Sequence, residues 1–122
     1  MQAPDRNVRP RPLDEMPAAA LAGVRGVLTD IDDTLTTDGR LTPDAYSALG
    51  RLKAAGYVVV PITGRPAGWC DHIARMWPVD GVVGENGAFW MRYDADSRKL
   101  VRRFGASDDE RRANRAKLAG IG

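Results

Sequence analysis

The sequence predicts an α/β fold built on a doubly wound parallel sheet, and three observations predict it. Two apolar runs, one containing Val27, Leu28 and Ile31 and the other spanning 57–62, have the character of buried strands. Between them, apolar residues recur at the helical period. A strand, a helix and a strand within about 35 residues make a right-handed parallel crossover unit, whose ligands bind at the carboxyl ends of the strands.

Composition indicates one domain with a modest core, since 43% of the 122 residues are apolar. No apolar stretch approaches the roughly 20 residues of a membrane span, and no charged and then apolar leader ends in a cleavage site. One cysteine, Cys70, cannot form an internal disulfide, which agrees with a reducing compartment. We therefore expect a cytoplasmic protein that binds no membrane.

The net charge of +2 conceals a gradient along the chain. Residues 26–87 contain 8 acidic and 5 basic residues, whereas residues 88–122 contain 5 acidic and 9 basic ones. A basic segment whose final helix has no interleaved aromatic residue is typical of a solvated helix face. We therefore expect no nucleic-acid partner.

Taken in order, the chain begins with residues 1–24, which we predict to be a flexible extension. Residues 1–12 hold three Arg and three Pro with almost nothing apolar. Within residues 13–24, a short helix is the alternative, because Ala18 to Ala20 form an Ala-rich run.

Two helices and two further strands are predicted next. Thr42 and Pro43 favour a helix start, and Gly56 ends that helix. The run 57–62 is too apolar to have a solvent-exposed face, so we expect a central strand. A second helix follows over 66–76, where Trp69, Ile73 and Met76 predict packing around a buried Cys70, and a third strand covers 81–83.

Three carboxylates, Asp30, Asp32 and Asp33, follow the first apolar run. Like charges crowded at a strand end must protonate, separate or bind a cation. Residues i and i+2 of an extended chain share a side, so Asp30 and Asp32 are predicted to face one volume and to hold Mg²⁺ beside a phosphate. A calcium loop does not fit, because its Gly and Glu positions fall on Leu35 and Leu41. A turn cluster without chemistry remains the alternative.

Polar residues also follow the next two strands, at the same predicted edge of the sheet. Thr63, Gly64 and Arg65 offer a hydroxyl, close backbone approach and a guanidinium, which are phosphate-binding parts. Asn86 and Gly87 form a turn pair after the third strand. We expect Thr63 and Arg65 to act on phosphate and not on fold stability, because truncation at a strand exit should leave little cavity. The alternative is that Thr63 is only a strand exit and Arg65 a surface residue. His72 and Cys70 make a poor metal pair, because residues i and i+2 do not share a helix face.

These residues resemble the motifs of the haloacid dehalogenase (HAD) superfamily of phosphohydrolases. The string DIDDTL at 30–35 is similar to the first motif, Asp-x-Asp-Gly-Thr, with Asp33 at the usual Gly position, and Thr63 matches the second motif. The strings ITGRP at 62–66 and GENGA at 84–88 resemble the Cof-like, type IIB branch, which includes many sugar phosphatases. The resemblance covers about residues 26–88.

The resemblance implies a role for each matching residue. Asp30 would attack phosphorus to give an aspartyl-phosphate, and Asp32 would protonate the leaving alcohol and then activate water. Mg²⁺ would be held by the Asp30 carboxylate and the Asp32 carbonyl. Thr63 would hydrogen-bond the phosphoryl group, and Gly64, Arg65 and Asn86 would complete the substrate site.

The family's third motif, a Lys, and its fourth, a pair of acids, lie beyond a cap domain. Residues 89–93 and 100–104 are predicted to form a hairpin, and Ser107 to Glu110 form a capping box that opens a helix to about Ala119. The resemblance therefore divides the chain into the first part of a core, 25–87, and the start of a cap, 88–122. Lys99 and Lys117 fall inside that cap segment, and the string Gly-Asp-x-x-Asp does not occur.

Two functions follow as hypotheses. The first is a Mg²⁺-dependent phosphatase of sugar phosphates or similar small substrates, seen as an N-terminal part that is inactive alone. The second is a non-catalytic remnant that binds metal or phosphate weakly or pairs with another chain. A dinucleotide-binding domain is disfavoured, because no Gly-x-Gly-x-x-Gly follows the first strand. In the family the first strand has a second neighbour that follows the cap, so we also expect self-association through an exposed sheet edge.

Overall fold

The computed structural model describes residues 8–121, which contain both helices and strands. The α/β class predicted from the sequence is confirmed. In chain order the elements are a 3₁₀ turn at Leu13–Glu15, α1 (Ala18–Ala22), β1 (Gly26–Thr29), β2 (Thr36–Thr37), β3 (Arg40–Leu41), α2 (Pro43–Ala54), β4 (Val58–Pro61), α3 (Ala67–Met76), β5 (Val82–Gly84), a 3₁₀ turn at Glu85–Gly87, β6 (Phe89–Asp94), β7 (Lys99–Phe104) and α4 (Asp108–Ala119).

The sheet grows outward from the predicted parallel crossover. β1 pairs in parallel with β4, with Val27 opposite Val59. A single parallel bridge from Ile62 to Val83 carries the sheet on to β5. β6 and β7 then add to β5 as an antiparallel hairpin, as predicted for residues 89–104. The strand order is therefore β1, β4, β5, β6, β7, with the ends of β1, β4 and β5 at one edge.

Local sequence signals account for the helix boundaries. The Thr42 side chain accepts the Ala45 N–H at 3.2 Å, which caps α2, and Gly56 follows the helix with a φ of 90°. At α4, Ser107 and Glu110 form the predicted capping box. These predictions are confirmed.

One short helix near the start of the described residues matches the sequence. α1 supplies the short helix left open within residues 13–24. The predicted flexible extension falls partly on residues 1–7, which lie outside the described residues. None of the described helices is both long and apolar enough to cross a membrane.

The core lies between α3 and one face of β5 and β6. Cys70, predicted as a core residue, is 0% exposed, and burial raises the pKa of its thiol. A Cβ at Gly84 would lie 2.6 Å from the Cys70 sulfur, so only glycine fits there. The buried cluster consists of Ile31, Cys70, Ile73, Ala74, Val82, Phe89 and Met91.

The other face of the sheet is open within residues 8–121, which corrects the prediction that β1 and β4 are fully buried. Val59 is 0% exposed, whereas Val58 is 50% and Leu28 is 69% exposed. Side chains along a strand alternate between the two faces, and α2 and α3 pack against one of them. An apolar run therefore predicted the strands correctly and their burial incorrectly.

We propose that the chain self-associates through the β1 edge and this open face. Within the described residues β1 pairs only with β4, which leaves its other row of backbone N–H and C=O groups without a strand partner. Leu28→Lys should reduce self-association, because a lysine on an edge strand opposes pairing, and should change stability by only about 0.5 kcal/mol. Static light scattering across a concentration series measures the effect.

Leu118→Lys is the matched control, because Leu118 is equally exposed at 69% but lies on α4. It should leave self-association unchanged. A chain of residues 1–122 that stays monomeric at every concentration would contradict the proposal.

Candidate active site

A cleft of about 380 Å³ opens at the carboxyl ends of β1, β4 and β5. This is the edge where the sequence predicted a ligand site. The structure brings four of the six predicted site residues into its lining, which consists of Leu28, Thr29, Asp30, Ile62, Thr63, Gly64 and Asn86. Asp32 and Arg65 lie together outside that lining.

Thr63 links the strand ends that form the cleft. Its N–H donates to the Val83 carbonyl at 2.9 Å, and its carbonyl accepts the Asn86 N–H at 3.0 Å. Its hydroxyl accepts the Arg65 N–H at 3.1 Å. Thr63 follows β4 at a strand exit, as expected, but it is only 2% exposed, so the expectation that its truncation leaves little cavity is corrected. The hydroxyl accepts one hydrogen bond and keeps its own hydrogen for a donor role.

The loop after β5 lies directly against Gly64. A Cβ at Gly64 would come within 3.0 Å of the Asn86 side-chain oxygen, so glycine allows this close approach. Glu85 and Asn86 both have left-handed backbones, with φ of 47° and 57°. Such a conformation is uncommon for Glu and more readily adopted by Asn. The amide of Asn86 is thereby held at the cleft.

The acidic loop does not continue β1, and this changes the geometry expected for Asp30 and Asp32. β1 ends at Thr29, and the carbonyl of the buried Ile31 accepts the N–H groups of Thr34, Leu35 and Thr36. The chain therefore turns, and the rule that residues i and i+2 share a side no longer applies. Asp33, at the position where the resembling motif has Gly, has a φ of 58°.

Asp30 is the acidic residue of the cleft lining. One of its oxygens accepts the Ile31 N–H at 2.8 Å. Within residues 8–121, neither Lys nor Arg forms an ion pair with Asp30. The group is thus held by one backbone donor and has an oxygen left for a ligand.

Asp32 is paired with Arg65. The Arg65 Nη2 lies 2.6 Å from one Asp32 oxygen and Nε lies 3.2 Å from the other, so the contact is bidentate. The hydrogen bond from Arg65 holds the pKa of Asp32 below its usual value, against the opposing effect of desolvation. The pair therefore favours the charged carboxylate, which can accept a proton.

Trp69 is the residue of this site that the sequence did not indicate. It was predicted to pack with Ile73 and Met76, yet Trp69 and Met76 are 54% and 64% exposed, and only Ile73 is buried. The Arg65 guanidinium carbon lies 4.3 Å from the centroid of the Trp69 ring. Arg65 lies before the first residue of α3 and outside the helix, so the helical spacing of side chains carries no signal for this contact.

The chemistry of the donor set fits a largely hydrated Mg²⁺. In the part of the chain that the structure describes, no three His, Cys, Asp or Glu residues cluster as metal ligands. Mg²⁺ does not require such a cluster, since it keeps several waters and is held by one or two carboxylates plus a substrate phosphate. Asp30 supplies one carboxylate at the cleft.

Comparison with known proteins identifies the family. The family described as haloacid dehalogenase-like hydrolase matches residues 27–109, which is more than half of the sequence, and the chain belongs to it. A search of curated proteins gave no significant match.

Two solved structures share the fold. A hypothetical protein from Geobacillus kaustophilus HTA426 is 25% identical, with a TM-score of 0.55 over 82% of this chain and 38% of its own. A phosphatase of the haloalkanoate (HAD) enzyme superfamily from Bacteroides thetaiotaomicron is 21% identical, with a TM-score of 0.53 over 96% of this chain and 40% of its own. The chain thus spans about two fifths of the length of either protein.

We predict that Thr63→Val destabilises the fold by about 1–2 kcal/mol, because it keeps the side-chain volume but leaves the Arg65 N–H without its acceptor. Urea denaturation monitored by circular dichroism measures the change in the free energy of unfolding. Thr37→Val is the matched control, at an exposed position of β2, and should stay within about 0.5 kcal/mol of the unmodified chain. Equal effects of the two substitutions would show that the Thr63 hydroxyl has no structural role.

Proposed function

We propose that this hydrolase cleaves phosphomonoesters with Mg²⁺, through an aspartyl-phosphate on Asp30. One observation carries the proposal: Asp30, whose carboxylate has no cationic partner among the described residues, lines a cleft where the ends of β1, β4 and β5 converge. A carboxylate that is left unpaired at such a cleft can serve as a nucleophile.

In the proposed reaction an Asp30 oxygen forms a bond to phosphorus while the bond from phosphorus to the alcohol oxygen breaks. Asp32, in its protonated form, gives its proton to the leaving alcohol. The Asp32 carboxylate then takes a proton from a water molecule, which attacks phosphorus, releases phosphate and restores Asp30. Because its pair with Arg65 favours the charged form, Asp32 is better prepared for this second step than for the first.

The substrate phosphate would be bound by donors that line the cleft. The Thr63 hydroxyl has a hydrogen left to donate, and the Asn86 amide and the backbone at Gly64 lie beside it. The Asp30 carboxylate and the Asp32 carbonyl would hold Mg²⁺, which neutralises charge on the transferring phosphoryl group. Sugar phosphates are the proposed substrates because ITGRP and GENGA resemble the Cof-like branch. We also propose a cytoplasmic location, which is supported only by the amino-acid composition.

A non-catalytic remnant is the second candidate, and one feature of the cleft favours it. Asp30 is the only charged residue in the lining, so no Lys or Arg side chain of the described residues meets a phosphate there. Phosphoryl transfer depends on positive groups that stabilise the developing charge. We therefore propose that residues 1–122 alone bind metal or phosphate weakly and turn over little substrate.

Asp30→Asn should abolish phosphate release in a longer, active version of this protein, by about a thousandfold or more, because the nucleophile is lost. Removal of divalent metal with EDTA should do the same, and added Mg²⁺ should restore activity. Asp33→Asn is the matched control, since Asp33 lies in the same loop and Asn tolerates its left-handed backbone. Full activity of Asp30→Asn would exclude Asp30 as the nucleophile.

Residues 1–122 taken alone should show negligible activity toward a generic phosphomonoester with Mg²⁺. The reason is the absence of a cationic side chain from the cleft lining. Phosphate release in a colorimetric assay is the measurement. Activity that disappears on Asp30→Asn would prove that this chain is sufficient for catalysis and would contradict the prediction.

A further inference from the structure

We propose that Arg65 is a positioning residue for Asp32 and does not bind the substrate phosphate directly. The proposal deepens the proposed function and rests on it for the role of Asp32 in proton transfer. Hydrogen bonds hold the backbone of Arg65, and its guanidinium contacts both Trp69 and Asp32. The carboxylate of Asp32 is thereby kept in one orientation beside the cleft.

The first argument is the geometry of the ion pair. Nε and Nη2 lie on one edge of the guanidinium, and each contacts a different oxygen of Asp32, at 3.2 Å and 2.6 Å. Two parallel hydrogen bonds fix both the distance and the plane of the carboxylate, which a single contact does not. The Arg65 side chain is 27% exposed and that of Asp32 48%, so the more buried partner orients the more exposed one.

The second argument is that Arg65 is itself held in place. Its N–H donates to the buried Thr63 hydroxyl at 3.1 Å, and its carbonyl accepts the Glu85 N–H at 3.1 Å. Its guanidinium stacks on Trp69 at 4.3 Å. A long side chain that is fixed at both its backbone and its charged end loses little further entropy when it orients a partner.

The third argument concerns the phosphate. Arg65 is absent from the cleft lining, whereas Asp30, Thr63, Gly64 and Asn86 belong to it. The bidentate edge of the guanidinium is already taken by Asp32, so a phosphate would have to displace that carboxylate to be bound in the same way. Loss of the bidentate contact between Arg65 and Asp32 should therefore lower turnover and leave the affinity for phosphate unchanged.

The chain provides a matched control for this arrangement. Arg75 on α3 pairs with Asp71, and its guanidinium carbon lies 5.0 Å from the centroid of the Tyr93 ring. None of these three residues lines the cleft. If any arginine that pairs with an aspartate and stacks on an aromatic ring affected turnover, substitutions at Arg65 and Arg75 would have equal effects.

The first experiment measures the arginine Nε–H resonances of residues 1–122 by ¹⁵N NMR. We expect Asp32→Ala and Trp69→Ala each to shift the Arg65 signal and to speed its exchange with water, while Arg75 is unchanged. Asp71→Ala should do the reverse. An Arg65 resonance that is unmoved by Asp32→Ala would overturn the proposal, whether or not the chain is a phosphatase.

The second experiment compares Arg65→Lys with Arg75→Lys in an active version of the protein. Lysine keeps the positive charge but cannot make the bidentate contact with Asp32. For Arg65→Lys, kcat should therefore fall by about tenfold or more, with KM and inhibition by inorganic phosphate unchanged. Arg75→Lys should match the unmodified enzyme. A raised KM and weaker phosphate inhibition at unchanged kcat would make Arg65 a phosphate ligand and overturn the proposal.

The two experiments separate this proposal from the function on which it rests. If every version lacks phosphatase activity, the proposed function fails, and the NMR result alone decides whether Arg65 orients Asp32. If activity is present and depends on Asp30, the kinetic comparison decides whether that orientation contributes to turnover.

Discussion

The arrangement of the cleft depends on hydrogen bonds to one buried residue, Thr63. Its N–H, its carbonyl and its hydroxyl bind the strand β5, the loop after β5 and the turn that precedes α3, respectively. A buried backbone group that loses its partner is costly, so these segments are held in one register. The positions of Gly64, Arg65 and Asn86 all follow from this link. Residues that a ligand would contact are thus placed by the same bonds that hold the sheet edge together.

The acidic cluster shows how one short segment can give two carboxylates different environments. Three acids in four residues raise an electrostatic problem that must be relieved. The chain relieves it by turning at Ile31, which sends Asp32 to a guanidinium and leaves Asp30 at the cleft. Carboxylates with distinct partners can perform distinct chemistry, as acid and base catalysis requires. The division of labour proposed for Asp30 and Asp32 therefore has a structural counterpart in their surroundings.

Sequence patterns predicted the elements better than their surroundings. Thr42, Gly56 and the Ser107 capping box act through local hydrogen bonds and backbone conformation, so the helix ends could be predicted. The exposure of Leu28 could not, because an apolar run specifies a strand but does not say what covers each face. The orientation of Asp32 depends on where the chain leaves β1, and that turn is set by a buried Ile31 carbonyl. The stacking of Trp69 on Arg65 likewise depends on a side chain being outside the core, which periodicity alone does not reveal.

The packing of Cys70 has a practical consequence for future work on this molecule. The sequence has one cysteine, and its sulfur is enclosed by the core beside Gly84, with a pKa raised by burial. Thiolate is the form that reacts with maleimides and other alkylating probes, and a buried thiol provides little of it. A cysteine introduced on the surface would therefore be labelled selectively without removal of Cys70. Spectroscopic probes, spin labels and tethered ligands can therefore be attached at chosen surface positions while Cys70 stays in place.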